Sequence, residues 1–231
     1  MTLPTIAFDG DDTLWHSETQ FAGTQARLRE ILAAHVSAET IDRTLLARER
    51  ANLALFGYGV KGFVLSMIET AIEVSNSTVT ASEIQELIDM GKAMLSSPVE
   101  PIDGVDEVVE GLKRRGHRLM VITKGDLFHQ ESKIARSGLA DQFDAVEIVS
   151  EKDETTYRDI LDRHGIDPNA FVMVGNSIRS DILPVLAMGS HAIHVPYVIT
   201  WTVEQAGDNA DLPPILKAES IADVPEMIAA L

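Results

Sequence analysis

The sequence predicts an α/β protein, a parallel sheet flanked by helices, with an all-helical unit inserted near its start. Three observations carry this expectation. Short apolar runs alternate with helical periodicity over residues 98–231, and that alternation builds a parallel sheet covered on both faces. A similar run, Ile6-Ala7-Phe8, stands alone near the start of the chain, as a buried strand of the same sheet would. Between the two lie about eighty residues with a 3.6-residue apolar period and no strand pattern.

The first run ends in Asp9-Gly10-Asp11-Asp12-Thr13. Ligands of open α/β sheets sit beyond the carboxyl ends of the strands, so two carboxylates two residues apart are placed there for chemistry. One can attack while the other moves a proton. Asp and Gly are also good turn formers, and a plain turn is the competing reading of the same five residues. In the helical stretch Val64, Leu65, Ile68 and Ile72 share one face, and Ile84, Leu87, Ile88, Met94 and Leu95 share another. Thr80-Ala81-Ser82-Glu83 has the spacing of a capping box and starts the last of these helices. Leu55-Phe56-Gly57-Tyr58-Gly59-Val60 reads as a shaped loop or a packed glycine turn between helices.

Pro98 and Pro101 mark a linker, after which strands and helices alternate. Val105, Val108, Val109 and Leu112 place a helix that stops at Gly116, and Leu119-Met120-Val121-Ile122-Thr123 follows as a buried strand. Further helices are expected at Phe128–Arg136, Thr155–Arg163 and Ile182–Ala187. Further strands are expected at Ala145–Val149, Phe171–Val174 and Ala192–Val195. The domain assignment is therefore 1–16 with 98–231 as the α/β core and 17–97 as a helical cap, placed beside the first acidic loop where it can act as a lid.

Composition narrows the function. Acidic residues number 36 against 19 Lys plus Arg, a net charge of −17, which disfavours a nucleic-acid or anionic-membrane surface. A phosphate site in such a field needs local positive charge from a metal and one or two lysines. Without cysteine, thiol catalysis, disulfides and thiolate metal sites are excluded. No G-x-G-x-x-G follows a strand, so a dinucleotide site has no support. A basic leader and an apolar stretch approaching the roughly 20 residues of a membrane span are both missing, and a cytoplasmic location is the expectation.

The remaining candidates gather at the carboxyl ends of the expected strands: Thr123 with Lys124, Lys152, and Gly175-Asn176-Ser177 with Asp181. Each also has a bland role. A strand-end Thr caps helices, a surface Lys is solvated, and an Asp caps or solvates a helix start.

Taken in order, Ile6 to Leu14, Thr123, Lys152 and Gly175 to Asp181 match four motifs, and over nearly its whole length the chain resembles the haloacid dehalogenase-like hydrolase superfamily, phosphatase branch. The resemblance implies a Rossmann-like sheet with a helical cap and Mg²⁺-dependent hydrolysis of a phosphate ester through an aspartyl-phosphate. It implies Asp9 as nucleophile and Asp11 as general acid and base. Lys152 would pair with Asp9 and a phosphate oxygen, and Thr123 and the backbone N–H of Lys124 would hold other oxygens. Asp9, the backbone carbonyl of Asp11, Asp181 and, less strongly, Asn176 would hold the metal. Where the family's fourth motif begins Gly-Asp, this chain has Gly175-Asn176, an uncharged and weaker ligand. Asp12 is extra within the first motif and is expected to be a turn residue or a helix N-terminal charge.

Rival functions on the same motifs are phosphomutase and 2-haloacid dehalogenase. The dehalogenase needs neither metal nor an acid at Asp11. A phosphate-sensing protein with little turnover is the rival outside enzymology. The expected partner is a small-molecule phosphate ester, with Trp15, His16, Tyr58 and Lys61 as candidate substrate-facing residues; aromatic packing, a local hydrogen bond and solvent are their competing roles.

Overall fold

The fold is that of a computed structural model, which describes residues 3–204 and 212–231. The chain divides into two compact units, Met1–Glu18 with Val99–Leu231 and Thr19–Pro98.

Among the described residues the first unit has six parallel strands: β1 (Thr5–Phe8), β2 (Leu119–Lys124), β3 (Ala145–Val149), β4 (Phe171–Gly175), β5 (His191–His194) and the two-residue β6 (Leu216–Lys217). Their order is β3-β2-β1-β4-β5-β6. From β1 the chain steps outward through β2 and β3, then returns to place β4 on the other side of β1. The strand order thus reverses between β1 and β4, which is where an open α/β sheet leaves a crevice at its carboxyl edge. β1 is buried on both faces and alternates between two cores. Ile6 and Phe8 join Val121, Val172 and Val174 on one side, while Ala7 joins Met120, Ile122 and Met173 on the other.

Helices cover both faces. On the first lie α5 (Val105–Arg114), whose Val105, Val108, Val109 and Leu112 are buried, and α9 (Val224–Ala229). On the second lie α7 (Glu154–His164) and α8 (Leu183–Ala187), through Tyr157, Ile160, Leu161 and Val185. The remaining helix, α6 (Leu127–Arg136), is capped by Asp126, whose carboxylate accepts from the His129 N–H. The expected single helix at Ile182–Ala187 is instead a π-helical turn, Ile178–Ile182, running into α8. Single π turns of this kind recur at functional sites. β6 and α9 lie outside the expected pattern, because a two-residue strand and a six-residue helix are too short for periodicity to register.

The Thr19–Pro98 unit is helical, as expected, with α1 (Glu18–Leu32), α2 (Ala38–Phe56), α3 (Val60–Val74) and α4 (Ala81–Ser96). Thr80 and Glu83 form the capping box at α4. Leu55 and Phe56 belong to the end of α2, so the turn before α3 is shorter than the expected loop and consists of Gly57, Tyr58 and Gly59. One face assignment also needs correction. The buried stripe of α3 is Val60, Phe63, Met67 and Ala71, whereas Leu65 and Ile72 are exposed. Val64 and Ile68 of the expected face pack at the edge of this core, and since both stripes fit a 3.6-residue period the tertiary partners decided which is fully buried. Among the described residues no helix is long and apolar enough to cross a membrane.

Candidate active site

The loop after β1 is folded by its own backbone. The carbonyl of Gly10 accepts from Leu14 at 2.8 Å, and the Asp12 N–H donates to the carbonyl of Trp15 at 2.7 Å. Gly10 is required, since a Cβ there would stand 2.7 Å from the Trp15 ring. Asp12 adopts the left-handed conformation (φ 62°) and its buried carboxylate accepts from the N–H groups of Ser17 and Glu18 at 2.9 and 3.0 Å. It is both turn residue and helix N-terminal charge. Burial pushes its carboxyl up to about 6, against those two N–H donors.

Asp9 leaves β1 with its N–H donating to the carbonyl of Val174 on β4, 2.9 Å away, so it sits at the point where the strand order reverses. Lys152, just beyond β3, extends across β2 to reach it. Its ammonium donates to Asp9 Oδ1 at 2.6 Å and to Asp181 Oδ1 at 2.7 Å. The three side chains are 11%, 2% and 1% exposed for Asp9, Lys152 and Asp181, so the group is an ion triad cut off from solvent rather than a set of surface charges. The solvated reading of Lys152 is thereby replaced by full burial. Burial raises the Asp9 carboxyl, opposed by Lys152 and reinforced by the negative charge of Asp181. Burial works to lower Lys152, but Asp181 and then Asp9 outweigh it and hold the ammonium protonated.

Asp181 lies in the π turn. Its second oxygen accepts from the backbone N–H of Ser177 at 2.9 Å. This carboxylate packs against Gly175, where a Cβ would come within 2.3 Å of Oδ2, so glycine at the end of β4 is a steric requirement. Asn176 Oδ1 faces the Thr13 hydroxyl at 3.4 Å, and its backbone carbonyl meets His194 Nε2 at 3.0 Å.

Thr123 is buried at the end of β2, near Gly10, and its hydroxyl lies 3.2 Å from the Gln130 amide. The Lys124 side chain turns elsewhere. Its ammonium donates to Glu204 at 2.5 Å, to Ser180 Oγ at 2.9 Å and to Glu151 at 3.2 Å, so its charge is matched by protein carboxylates. Glu204 also accepts from Ser177 Oγ at 2.7 Å and from Ser180 Oγ. Burial works to raise the Glu204 carboxyl, but Lys124 and these hydroxyls hold it below its ordinary range.

The Asp11 carboxylate turns toward α6. Oδ1 accepts from the Trp15 indole at 2.7 Å and Oδ2 from the Gln130 amide at 3.0 Å, and Lys133 donates to both at 2.5 and 2.6 Å. Burial alone would raise this carboxyl; Lys133, then Gln130 and Trp15, bring it below the usual carboxylate range. Gln130, Lys133, Ser180 and Glu204 were not among the residues singled out from sequence. Polar residues on a helix or loop read as solvated until the fold shows what they face.

Trp15 is fully buried, and His16 Nδ1 meets the Tyr197 hydroxyl at 2.6 Å. Tyr58 is half-buried and Lys61 exposed in the Thr19–Pro98 unit.

The fit to a divalent cation can be judged from the donors. Among the described residues no three His, Cys, Asp or Glu side chains gather as a metal-binding group. A hard cation that keeps several waters needs only one or two carboxylates, and Asp9 and Asp181 supply two at one point. The two carboxylates share the single ammonium of Lys152, and burial with Asp181 raises the Asp9 carboxyl, so a further cation there would have a carboxylate to match it. Carboxylate, amide and backbone oxygens therefore fit Mg²⁺ in both donor type and charge.

A model of the haloacid dehalogenase-like hydrolase family matches residues 3–189, and the chain belongs to that family. A haloacid dehalogenase-like hydrolase from Xanthomonas campestris is 42% identical, with a TM-score of 0.87 over 99% of this chain and 91% of that one. A glyceraldehyde 3-phosphate phosphatase from Methanothermobacter thermautotrophicus is 29% identical over 209 residues, 86% of this chain and 88% of that protein. A 2-haloacid dehalogenase from Pseudomonas syringae shares the fold at 23% identity and a TM-score of 0.63, over 99% of both chains.

Proposed function

We propose that this chain is a Mg²⁺-dependent phosphatase that hydrolyses a small soluble phosphate monoester through an aspartyl-phosphate on Asp9. The observation that carries this reading is the Lys152 ammonium held between Asp9 and Asp181 at the β1–β4 crevice. It keeps one oxygen of a buried carboxylate charge-paired while the other can attack. The phosphatase relative points the same way.

In this reading the free Asp9 oxygen attacks phosphorus as the ester P–O bond breaks, and Asp11, which must first leave Lys133 and take up a proton, delivers that proton to the departing oxygen. Asp11 then takes a proton from water, which attacks phosphorus. The acyl-phosphate bond breaks, freeing phosphate and restoring the Asp9 carboxylate. Lys152 offsets the charge gathered in the transition state, and a preorganised ammonium in a dry site does so effectively. Thr123 accepts from Gln130, leaving its own O–H to donate to a phosphoryl oxygen, with the Lys124 N–H as a second donor. Asp9, Asp181, Asn176 and the backbone carbonyl of Asp11 would hold Mg²⁺, which would supply most of the charge neutralisation. Residues 17–97 would act as the cap that selects substrate.

The test is a screen of phosphate esters, glyceraldehyde 3-phosphate among them, with Mg²⁺ and with a chelator. A 2-chloro acid, read by halide release, is included as the rival arm. Mg²⁺-dependent phosphate release is expected. Halide release without phosphate release would overturn the reading.

A further inference from the structure

The π turn Ile178–Ile182, which presents Asp181, is held by side chains from three other parts of the first unit. Pro184, two residues beyond it, has no N–H, so the Ser180 carbonyl loses the donor that an α-helical register would give it. The Tyr157 hydroxyl on α7 supplies one at 3.1 Å. Glu204, from the segment after β5, grips the turn at two points. One of its oxygens accepts from Ser177 Oγ at 2.7 Å and from Ser180 Oγ, and the other takes the Lys124 ammonium from the end of β2, which also donates to Ser180 Oγ at 2.9 Å. Arg179 in turn donates to the carbonyl of the neighbouring Val203 at 2.7 Å. The Lys124 and Glu204 side chains are 12% and 14% exposed. An ion pair buried to this degree adds little net stability, and apolar side chains of similar size would pack the segment at no greater cost. What the arrangement achieves is a fixed turn. Ser177, held by Glu204 through its hydroxyl, donates its backbone N–H to Asp181 Oδ2 at 2.9 Å, while Asp181 Oδ1 meets the Lys152 ammonium that also pairs with Asp9.

We propose that Glu204 is a positioning residue for Asp181: by clamping Ser177 and Ser180 it sets how tightly the Asp9–Asp181 pair holds a divalent cation. Partners standing behind a metal ligand orient it and so tune its affinity. This rests on the reading of Asp181 as a Mg²⁺ ligand. Glu204 acts through the π turn and touches neither cation nor substrate.

The experiment measures Mg²⁺ binding without substrate, by calorimetric titration of chelator-treated protein, beside the kinetics of phosphate release. Glu204→Gln keeps the shape of the side chain and removes its charge. It should weaken Mg²⁺ binding on the order of tenfold, the low end of the loss that follows removal of a partner behind a metal ligand, with kcat at saturating Mg²⁺ and KM for the ester each within about threefold. A merely structural role would lower Tm in chelator and leave the affinity of the folded protein unchanged. Added to Asp181→Asn, Glu204→Gln should raise the Mg²⁺ concentration for half-maximal activity by less than about twofold more, because it acts through Asp181. Unchanged Mg²⁺ affinity in folded Glu204→Gln, or a loss of about tenfold repeated in the Asp181→Asn background, would overturn the proposal. Should Glu204→Gln fail to fold by circular dichroism, Ser180→Ala, which removes one link of the clamp, is read in the same way. Failure of the underlying reading looks different: the wild-type protein then binds no Mg²⁺, or Asp181→Asn binds it as tightly.

Discussion

Replacing Lys152 by methionine removes one ammonium and little volume, and leaves Asp9 and Asp181 facing each other. In the folded protein these side chains are 11% and 1% exposed, so neither can recover the lost partner from solvent. Removing one member of such a buried group costs about 3–5 kcal/mol, and the raised Asp9 carboxyl, which can take up a proton in place of the ammonium, places this case at the lower end. For a chain of this length about 1 kcal/mol corresponds to a shift of roughly 2–4 °C in Tm, so Lys152→Met should lower Tm by at least about 6 °C. The measurement is thermal unfolding in chelator-containing buffer, followed by tryptophan fluorescence, to which Trp15, fully buried in the same unit, contributes alongside Trp201. Added Mg²⁺ should recover part of the loss, because a cation binding only the folded state stabilises it by mass action. A Tm within about 2 °C of wild type in chelator would refute the reasoning, since a loss below about 1 kcal/mol is that of an exposed ion pair.

Asp9→Asn should reduce phosphate release on the order of 10³-fold or more with the fold intact, checked by turnover and circular dichroism on one preparation. Asp181→Asn should raise the Mg²⁺ concentration needed for half-maximal activity, and Asn176→Asp should lower it; an unchanged Mg²⁺ titration for Asp181→Asn would remove that residue from the metal site. His129 gives a pH prediction. Burial and then Lys133 depress its pKa to about 4, despite Asp11 and Asp126 and with Arg136 adding to the effect. The unfolded chain therefore binds the extra proton first. The neutral His129 contribution is fully present above the unfolded value near 6.5 and is lost as pH falls toward 4. Because the ring is only half-buried the loss is discounted to about 1–2 kcal/mol, and His129→Gln should flatten denaturant midpoints over that window.

The sheet was legible because buried parallel strands are short, continuous apolar runs. Ile6 to Phe8, Leu119 to Thr123 and Phe171 to Val174 announce themselves without any knowledge of their neighbours. The positions of Asp9 at the end of β1 and Lys152 just beyond β3 followed from the same pattern, and the capping box at Thr80 followed from its Thr-x-x-Glu spacing. On α3 two adjacent stripes have the same period, and only packing selected Phe63 and Met67 over Leu65 and Ile72. Lys152 is a strand-end lysine until β1 and β4 bring two carboxylates to it across 143 and 29 residues of chain. Gln130 and Lys133 carry no local mark at all, being ordinary polar residues in an amphipathic helix. Their role depends on Asp11, 119 and 122 residues earlier, because a side chain's electrostatic partner is set by where the backbone returns in space and not by its neighbours along the chain.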